Sequence, residues 1–203
     1  MAEYHRYIFD IKARRFVGQF EEMYAAEKEK GFDSWYQDDL RHLDRKICLS
    51  ILDQFNFSKI LDVGCGKGAF TQFLKKDNNH VTGLDISPTA IARAKARYPD
   101  IEFEVVNIET HKWYKTCDKE YDLIICLELL SYASNWQMLL HQFSKMAQYA
   151  LIKLFIPEDP IGYIKEIDQL FREFSKYYAV MEDIRLVNRK NHILFGRSLN
   201  QST

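Results

Sequence analysis

The chain of 203 residues is long enough for one α/β domain with a sizeable core and too short for two full domains. Its net charge of −1 sets up no global field toward nucleic acid or an anionic membrane, and its longest apolar runs, such as residues 123–130, are too short to cross a bilayer. The composition, 47% apolar and 28% charged, is that of an ordinary soluble globular protein. The polar and aromatic start lacks a signal-peptide core, so a cytoplasmic location is expected. Cys48, Cys65, Cys117 and Cys126 form no C-x-x-C pair and read as free buried thiols. The six histidines are scattered, and no metal site is expected.

Phe16, Val17, Phe20, Met23 and Tyr24 recur at helical spacing, so residues 13–28 read as an amphipathic helix, interrupted by Gly31. Ser34-Trp35-Tyr36-Gln37 fits a capping box, with Ser34 as N-cap and Gln37 reaching back. Leu40, Leu43, Ile47, Ile51 and Leu52 then carry one apolar face to about Gln54. Residues 59–63 read as a short buried strand that runs into Gly64-Cys65-Gly66-Lys67-Gly68. Ala69, Phe70, Phe73 and Leu74 follow at helical spacing. A second apolar strand, 80–86, ends at Asp85. Ser87 and Pro88 start a helix that stops at Tyr98-Pro99. Residues 101–108 read as a third strand and 109–120 as a polar loop or short helix. The continuous apolar run of 121–129 suits a fourth strand buried on both faces. A helix over 136–147, a fifth strand over 149–156 and a helix over 163–174 come next. Residues 180–187 and 192–199, separated by Asn188-Arg189-Lys190-Asn191, read as a hairpin.

The glycine turn carries the chemistry. Glycines allow a sharp turn and let a ligand approach with no Cβ in the way. Asp85, 19 residues past Gly66, closes the second strand, where a carboxylate can accept from ribose hydroxyls. Two cofactors fit. Gly64, Gly66 and Ala69 meet G-x-G-x-x-A, which makes an NAD-dependent oxidoreductase the alternative, although such enzymes usually continue into a second domain. The longer string D-x-G-C-G-x-G, Asp62 to Gly68, resembles motif I of the class I S-adenosylmethionine (SAM)-dependent methyltransferases.

That resemblance covers roughly residues 58–199 and implies a Rossmann-like three-layer α/β/α sandwich. Its mostly parallel seven-stranded sheet would end in an antiparallel hairpin, with two N-terminal helices as cover. Residues 1–203 would then be one methyltransferase domain, with 1–57 as the helical cover and 58–203 as the SAM-binding core. The resemblance places Asp62, Gly64, Cys65, Gly66 and Gly68 at the amino-acid end of SAM, with the turn amides facing its carboxylate. Asp85 would hold the ribose and Ile86 the adenine face. Asn107 stands where the family often has an acidic residue for the adenine amino group; its amide oxygen can still accept. Ile108 and Leu127 complete the cofactor contacts.

Glu128 and Tyr132, at the end of the fourth strand, are the catalytic candidates. Glu128 serves either as proton acceptor or as a hold on the turn, and both readings stand. Asp122, at the other end of that strand, reads as structural. Tyr4, His5, Tyr7, Arg14, Arg15, Trp35, Tyr36 and His42 are candidates for the acceptor side. The expected reaction is in-line methyl transfer from SAM to an oxygen or nitrogen of a small molecule, leaving S-adenosylhomocysteine. No nucleic acid or membrane partner is expected, and the chain is expected as a monomer or homodimer. A catalytically silent SAM-binding domain is the further alternative.

Overall fold

The computed structural model describes residues 3–39, 41–110, 113–115 and 120–200. In chain order its elements are α1 (His5–Ile8), β1 (Phe9–Asp10), β2 (Arg15–Phe16), α2 (Phe20–Lys30), α3 (Leu43–Leu52), β3 (Lys59–Val63), β4 (His80–Asp85), α4 (Pro88–Arg97), β5 (Glu102–Val105), β6 (Tyr121–Leu127), α5 (Trp136–Met146), β7 (Ala147–Phe155), α6 (Ile167–Phe174), β8 (Tyr178–Leu186) and β9 (Asn191–Ser198). β1 and β2 pair as a short antiparallel ribbon, and the other strands form one sheet in the order β5-β4-β3-β6-β7-β9-β8. Pairing is parallel from β5 to β7, and β9 runs antiparallel to both neighbours.

Strand β6 shows why this sheet is buried on both sides. Leu123 and Ile125 face one apolar cluster, with Cys48, Ile51 and Ile91 from α3 and α4. Ile124 and Cys126 face the other, with Leu139, Leu140, Phe143 and Leu170 from α5 and α6. Alternate residues of one strand thus feed two cores, each large side chain contributing about 1.5–3 kcal/mol on burial. The chain lays down β3, β4 and β5 toward one edge, then returns to place β6 beside β3. The order reverses there, and in open α/β sheets the crevice at the carboxyl ends flanking such a reversal receives the ligand.

The fold departs from the sequence reading in several places. Residues 13–19 are not helical: 13–16 turn, with Arg14 at φ 52, into the second strand of the β1–β2 ribbon, 17–19 are irregular, and the helix starts at Phe20 after Gly18 at φ 72. The aromatic spacing was shared between a strand and a helix, because Phe16 and Phe20 both pack on Tyr132. The capping box does not form. Glu27 accepts the Ser34 N–H at 3.0 Å, Ser34–Tyr36 is a single 3-10 turn, and the next helix begins at Leu43. Leu40 and Cys117 lie outside the described residues, as does much of the 109–120 loop.

The helix expected after the glycine turn is only a 3-10 turn, Thr71–Leu74. The Asn79 side chain donates to the Leu74 carbonyl at 2.7 Å and accepts from the Lys76 N–H, closing the chain before a longer helix can grow. Strand β6 stops at Leu127 because Glu128 is left-handed at φ 65. Among the described residues, no helix is long and apolar enough to cross a membrane, and no cluster of His, Cys, Asp and Glu has the makings of a metal site.

Candidate cofactor cleft

The loop from β3 to the 3-10 turn sits at the reversal point. Gly64, Gly66 and Gly68 all adopt positive φ, at 82°, 55° and 75°. A Cβ on Gly64 would lie 2.5 Å from Leu129, and one on Gly66 would lie 2.5 Å from the Gln37 amide and 2.7 Å from the Tyr24 hydroxyl. Both positions therefore need glycine for conformation and for close approach. Beneath the turn, Thr71 donates its hydroxyl to Asp62 at 2.7 Å. Burial pushes the Asp62 carboxyl up to about 7, against that bond. Asp62 thus faces Thr71 and ties the exit of the turn to β3. Cys65 is buried, its thiol raised by burial and directed at the Gly66 carbonyl.

Most amides of the turn are consumed internally. Gly64 and Cys65 donate to the Leu84 carbonyl, Gly68 to the Cys65 carbonyl, and Gly66 to Asp85 at 2.9 Å. The Lys67 N–H alone among these five is met from the N-terminal segment, by the Gln37 side-chain oxygen at 3.0 Å.

Asp85 ends β4 with its other oxygen on the Ser87 N–H, also at 2.9 Å. Burial raises this carboxyl to about 6, while the Ser87, Gly66 and Ile86 amides pull it back down. A carboxylate has about four acceptor sites, so these amides leave room for a further donor. Ile86 follows with 45% of its surface exposed, an apolar side chain without cover. Asn107 lies across β5, exposed, its amide oxygen folded back onto the Glu109 N–H, and Ile108 is buried beside it.

Residues 21–38 contact the glycine turn and α4, whereas α3 packs on the sheet face. Lys67 is buried, and its ammonium meets Glu27 at 2.7 Å, Asp33 at 2.8 Å and Asp38 at 3.2 Å. Burial opposes that charge, but the bonds to Asp33 and Glu27 outweigh it and hold Lys67 above its ordinary value. Arg93 pairs with Glu27 and Arg97 with Asp38, so basic groups of the core face acidic groups of the cover. Glu21 reaches over to accept from the Ser87 and Thr89 hydroxyls at the start of α4. The sequence assigned Lys67, Gln37 and Tyr24 no role in joining the N-terminal segment to the turn. The one available signal was a lysine inside a glycine turn downstream of an acid-rich stretch.

At the end of β6, Leu127 is half-buried and Glu128 has both oxygens engaged. One pairs with the buried Lys153 ammonium, the other accepts the Phe155 N–H at 2.7 Å. Lys153 also pairs with Asp44 of α3, and these two carboxylates outweigh burial and raise it. This geometry matches the holding role for Glu128. Asp122 accepts from the Ser58 and Lys59 amides at the far end of the sheet, a structural position.

Tyr132 sits among aromatic rings: stacked on Phe16 at 5.6 Å, with Phe9, Phe20 and Trp35 within 6 Å. Its hydroxyl is shifted upward by burial. Of the acceptor-side candidates, Tyr4 and Trp35 join this cluster, whereas Arg14 pairs with Asp159 at the surface and Arg15 lies near Asp10.

A family model described as a methyltransferase domain matches residues 60–148. Protein 235L of Invertebrate iridescent virus 6 is 31% identical over 111 residues, 53% of this chain and 40% of that one. A ubiquinone biosynthesis O-methyltransferase of Hydrogenovibrio crunogenus is 31% identical over 90 residues, 42% of this chain and 36% of its own. The chain thus spans well under half the length of these curated relatives. Among solved structures, the N-methyltransferase NodS from Bradyrhizobium japonicum, in complex with S-adenosyl-L-homocysteine, superposes with a TM-score of 0.70 at 18% identity, covering 89% of this chain and 98% of NodS. The D-x-G-C-G-K-G turn and the strand order agree with the match of residues 60–148 to a methyltransferase domain, and the fold is that of the class I S-adenosylmethionine-dependent methyltransferases.

Proposed function

We propose that the chain binds SAM across the glycine turn and Asp85 and transfers its methyl group in line to an oxygen or nitrogen of a small molecule. The observation that carries this reading is the pairing of that turn with a half-buried carboxylate beside the point where the strand order reverses. The residues fit the cofactor. The Lys67 N–H, held here by the Gln37 side chain, is a donor for its carboxylate, Asp85 keeps acceptor sites for ribose hydroxyls, and Ile86 offers the adenine an apolar face. The complex of NodS with S-adenosylhomocysteine supports the same donor class.

When bound, the sulfonium supplies an activated methyl group with a neutral leaving group. The protein's part is to align and to exclude water, and positioning alone contributes ~7–11 kcal/mol to such reactions. In this reading Leu129 and Tyr132 wall the methyl end. Glu128, tethered to Lys153, fixes the end of β6 rather than taking a proton. Asp85→Asn is the test, read by calorimetry with S-adenosylhomocysteine. Losing a charge-assisted bond worth about 1.5–3 kcal/mol should weaken binding roughly 10- to 100-fold. Unchanged affinity contradicts the reading, and binding of NADH in its place favours the oxidoreductase.

A further inference from the structure

The donor inventory of the glycine turn points to a role for Gln37. Of the five N–H groups from Gly64 to Gly68, four are spent inside the sheet edge and the turn. The fifth, on Lys67, is held by the Gln37 oxygen at 3.0 Å, while the Gln37 nitrogen donates to the buried Tyr24 hydroxyl at 2.7 Å. The Gln37 amide lies directly over Gly66, 2.5 Å from where a Cβ would stand. It fills the space that the missing Cβ leaves for a ligand. The 3-10 turn that follows is a single turn, so no helix N-terminus supplies replacement donors.

The loop bearing Gln37 is under tension. Trp35 and Tyr36 are consecutive non-glycine residues in the left-handed region, at φ 60 and 49, a conformation that side chains with a Cβ disfavour. Arg45 of α3 offsets that cost by donating to the carbonyls of Trp35, Tyr36, Gln37 and Asp39. The loop is anchored on both sides of Gln37, where Lys67 grips Asp33 and Asp38 and Arg97 also pairs with Asp38. The backbone is held, and the Gln37 side chain is the part free to swing.

Resting on the cofactor reading above, we propose that the Gln37 side chain is an internal stand-in for the cofactor's carboxylate. It occupies the one turn N–H a ligand can use, and cofactor binding expels it, swinging the Gln37 side chain off the turn while Lys67 and Arg45 hold the backbone around it. An amide oxygen on that N–H is a neutral acceptor, and an incoming carboxylate makes the stronger, charge-assisted bond. Competition is therefore confined to ligands that carry the amino-acid end.

Calorimetry on the full chain separates this from a general structural role. The probes are S-adenosylhomocysteine and 5′-methylthioadenosine, an adenosyl thioether without the carboxylate. Gln37→Ala should tighten S-adenosylhomocysteine about three- to tenfold, one net hydrogen bond, and leave methylthioadenosine within about twofold. Gln37→Glu, a stronger occupant of the same N–H, should weaken S-adenosylhomocysteine by a similar factor, again sparing methylthioadenosine. If Gln37→Ala weakens S-adenosylhomocysteine, Gln37 is a cofactor contact and the proposal falls. If both ligands shift together, the effect is structural and it also falls. If wild type and variants bind neither thioether, the cofactor reading itself is wrong and takes the proposal with it.

Discussion

Replacing Lys67 by methionine removes the charge that joins the cover to the core while keeping most of the side chain's length. The Lys67 side chain is 3% exposed and that of Glu27 1%, so this pair is enclosed; Asp33 and Asp38 are 31% and 41% exposed. Breaking an enclosed ion pair by removing one partner costs about 3–5 kcal/mol, whereas half-exposed pairs contribute about 0–1 kcal/mol. Glu27 keeps Arg93 at 2.8 Å and Asp38 keeps Arg97, which places the expected loss near the lower end, about 3 kcal/mol. Urea unfolding of the full chain reads it, with the slope unchanged. Glu27→Gln in the Lys67→Met background should cost less than the sum of the two single changes, because the stranded carboxylate is then gone. A loss below about 1 kcal/mol, or strictly additive losses, would refute the claim that this contact fastens the cover.

Two further outcomes follow from the same geometry. Glu128→Gln should lower the unfolding free energy by about 1.5–3 kcal/mol through its bonds to Lys153 and Phe155, and leave S-adenosylhomocysteine affinity within about twofold; unchanged stability would mean the carboxylate is not tethered. Raised carboxyls at Asp85, about 6, and Asp62, about 7, give stability and affinity opposite slopes with pH. Between pH 5 and 7 the folded chain holds more protons at these sites than the unfolded chain, so these two groups make stability fall as pH rises. The ionised Asp85 that ribose hydroxyls need becomes dominant over the same range, so affinity should rise roughly tenfold. Parallel slopes in chemical unfolding and calorimetry would show that Asp85 does not face the ligand.

Where local signal and burial agree, the chain was readable. Ser87 caps α4 through the Ala90 N–H with Pro88 in its first turn, and the alternating two-sided burial of β6 matches its unbroken apolar run. The cleft was only half legible, because its decisive contacts join residues far apart. Gln37 looked like half of a capping box, yet its partner is Lys67, 30 positions on. Glu128 read equally as a proton acceptor or as a hold on the turn, and its partner Lys153 lies 25 positions away. Asp62 carries the motif but spends its carboxylate on Thr71, which ties down the turn that presents the glycines. The aromatic residues before Gly31 showed helical spacing because strand and helix feed the same ring cluster around Tyr132.

The most direct trial of the cofactor assignment is thermal unfolding with SAM, S-adenosylhomocysteine and NADH in turn, each at about 100 times the dissociation constant where one is measurable. Binding at that level adds about 2.7 kcal/mol, a rise of roughly 5–10 °C for a domain of this size. The adenosyl sulfur ligands should produce that rise and NADH none. Stabilisation by NADH with no response to either sulfur ligand would contradict the account.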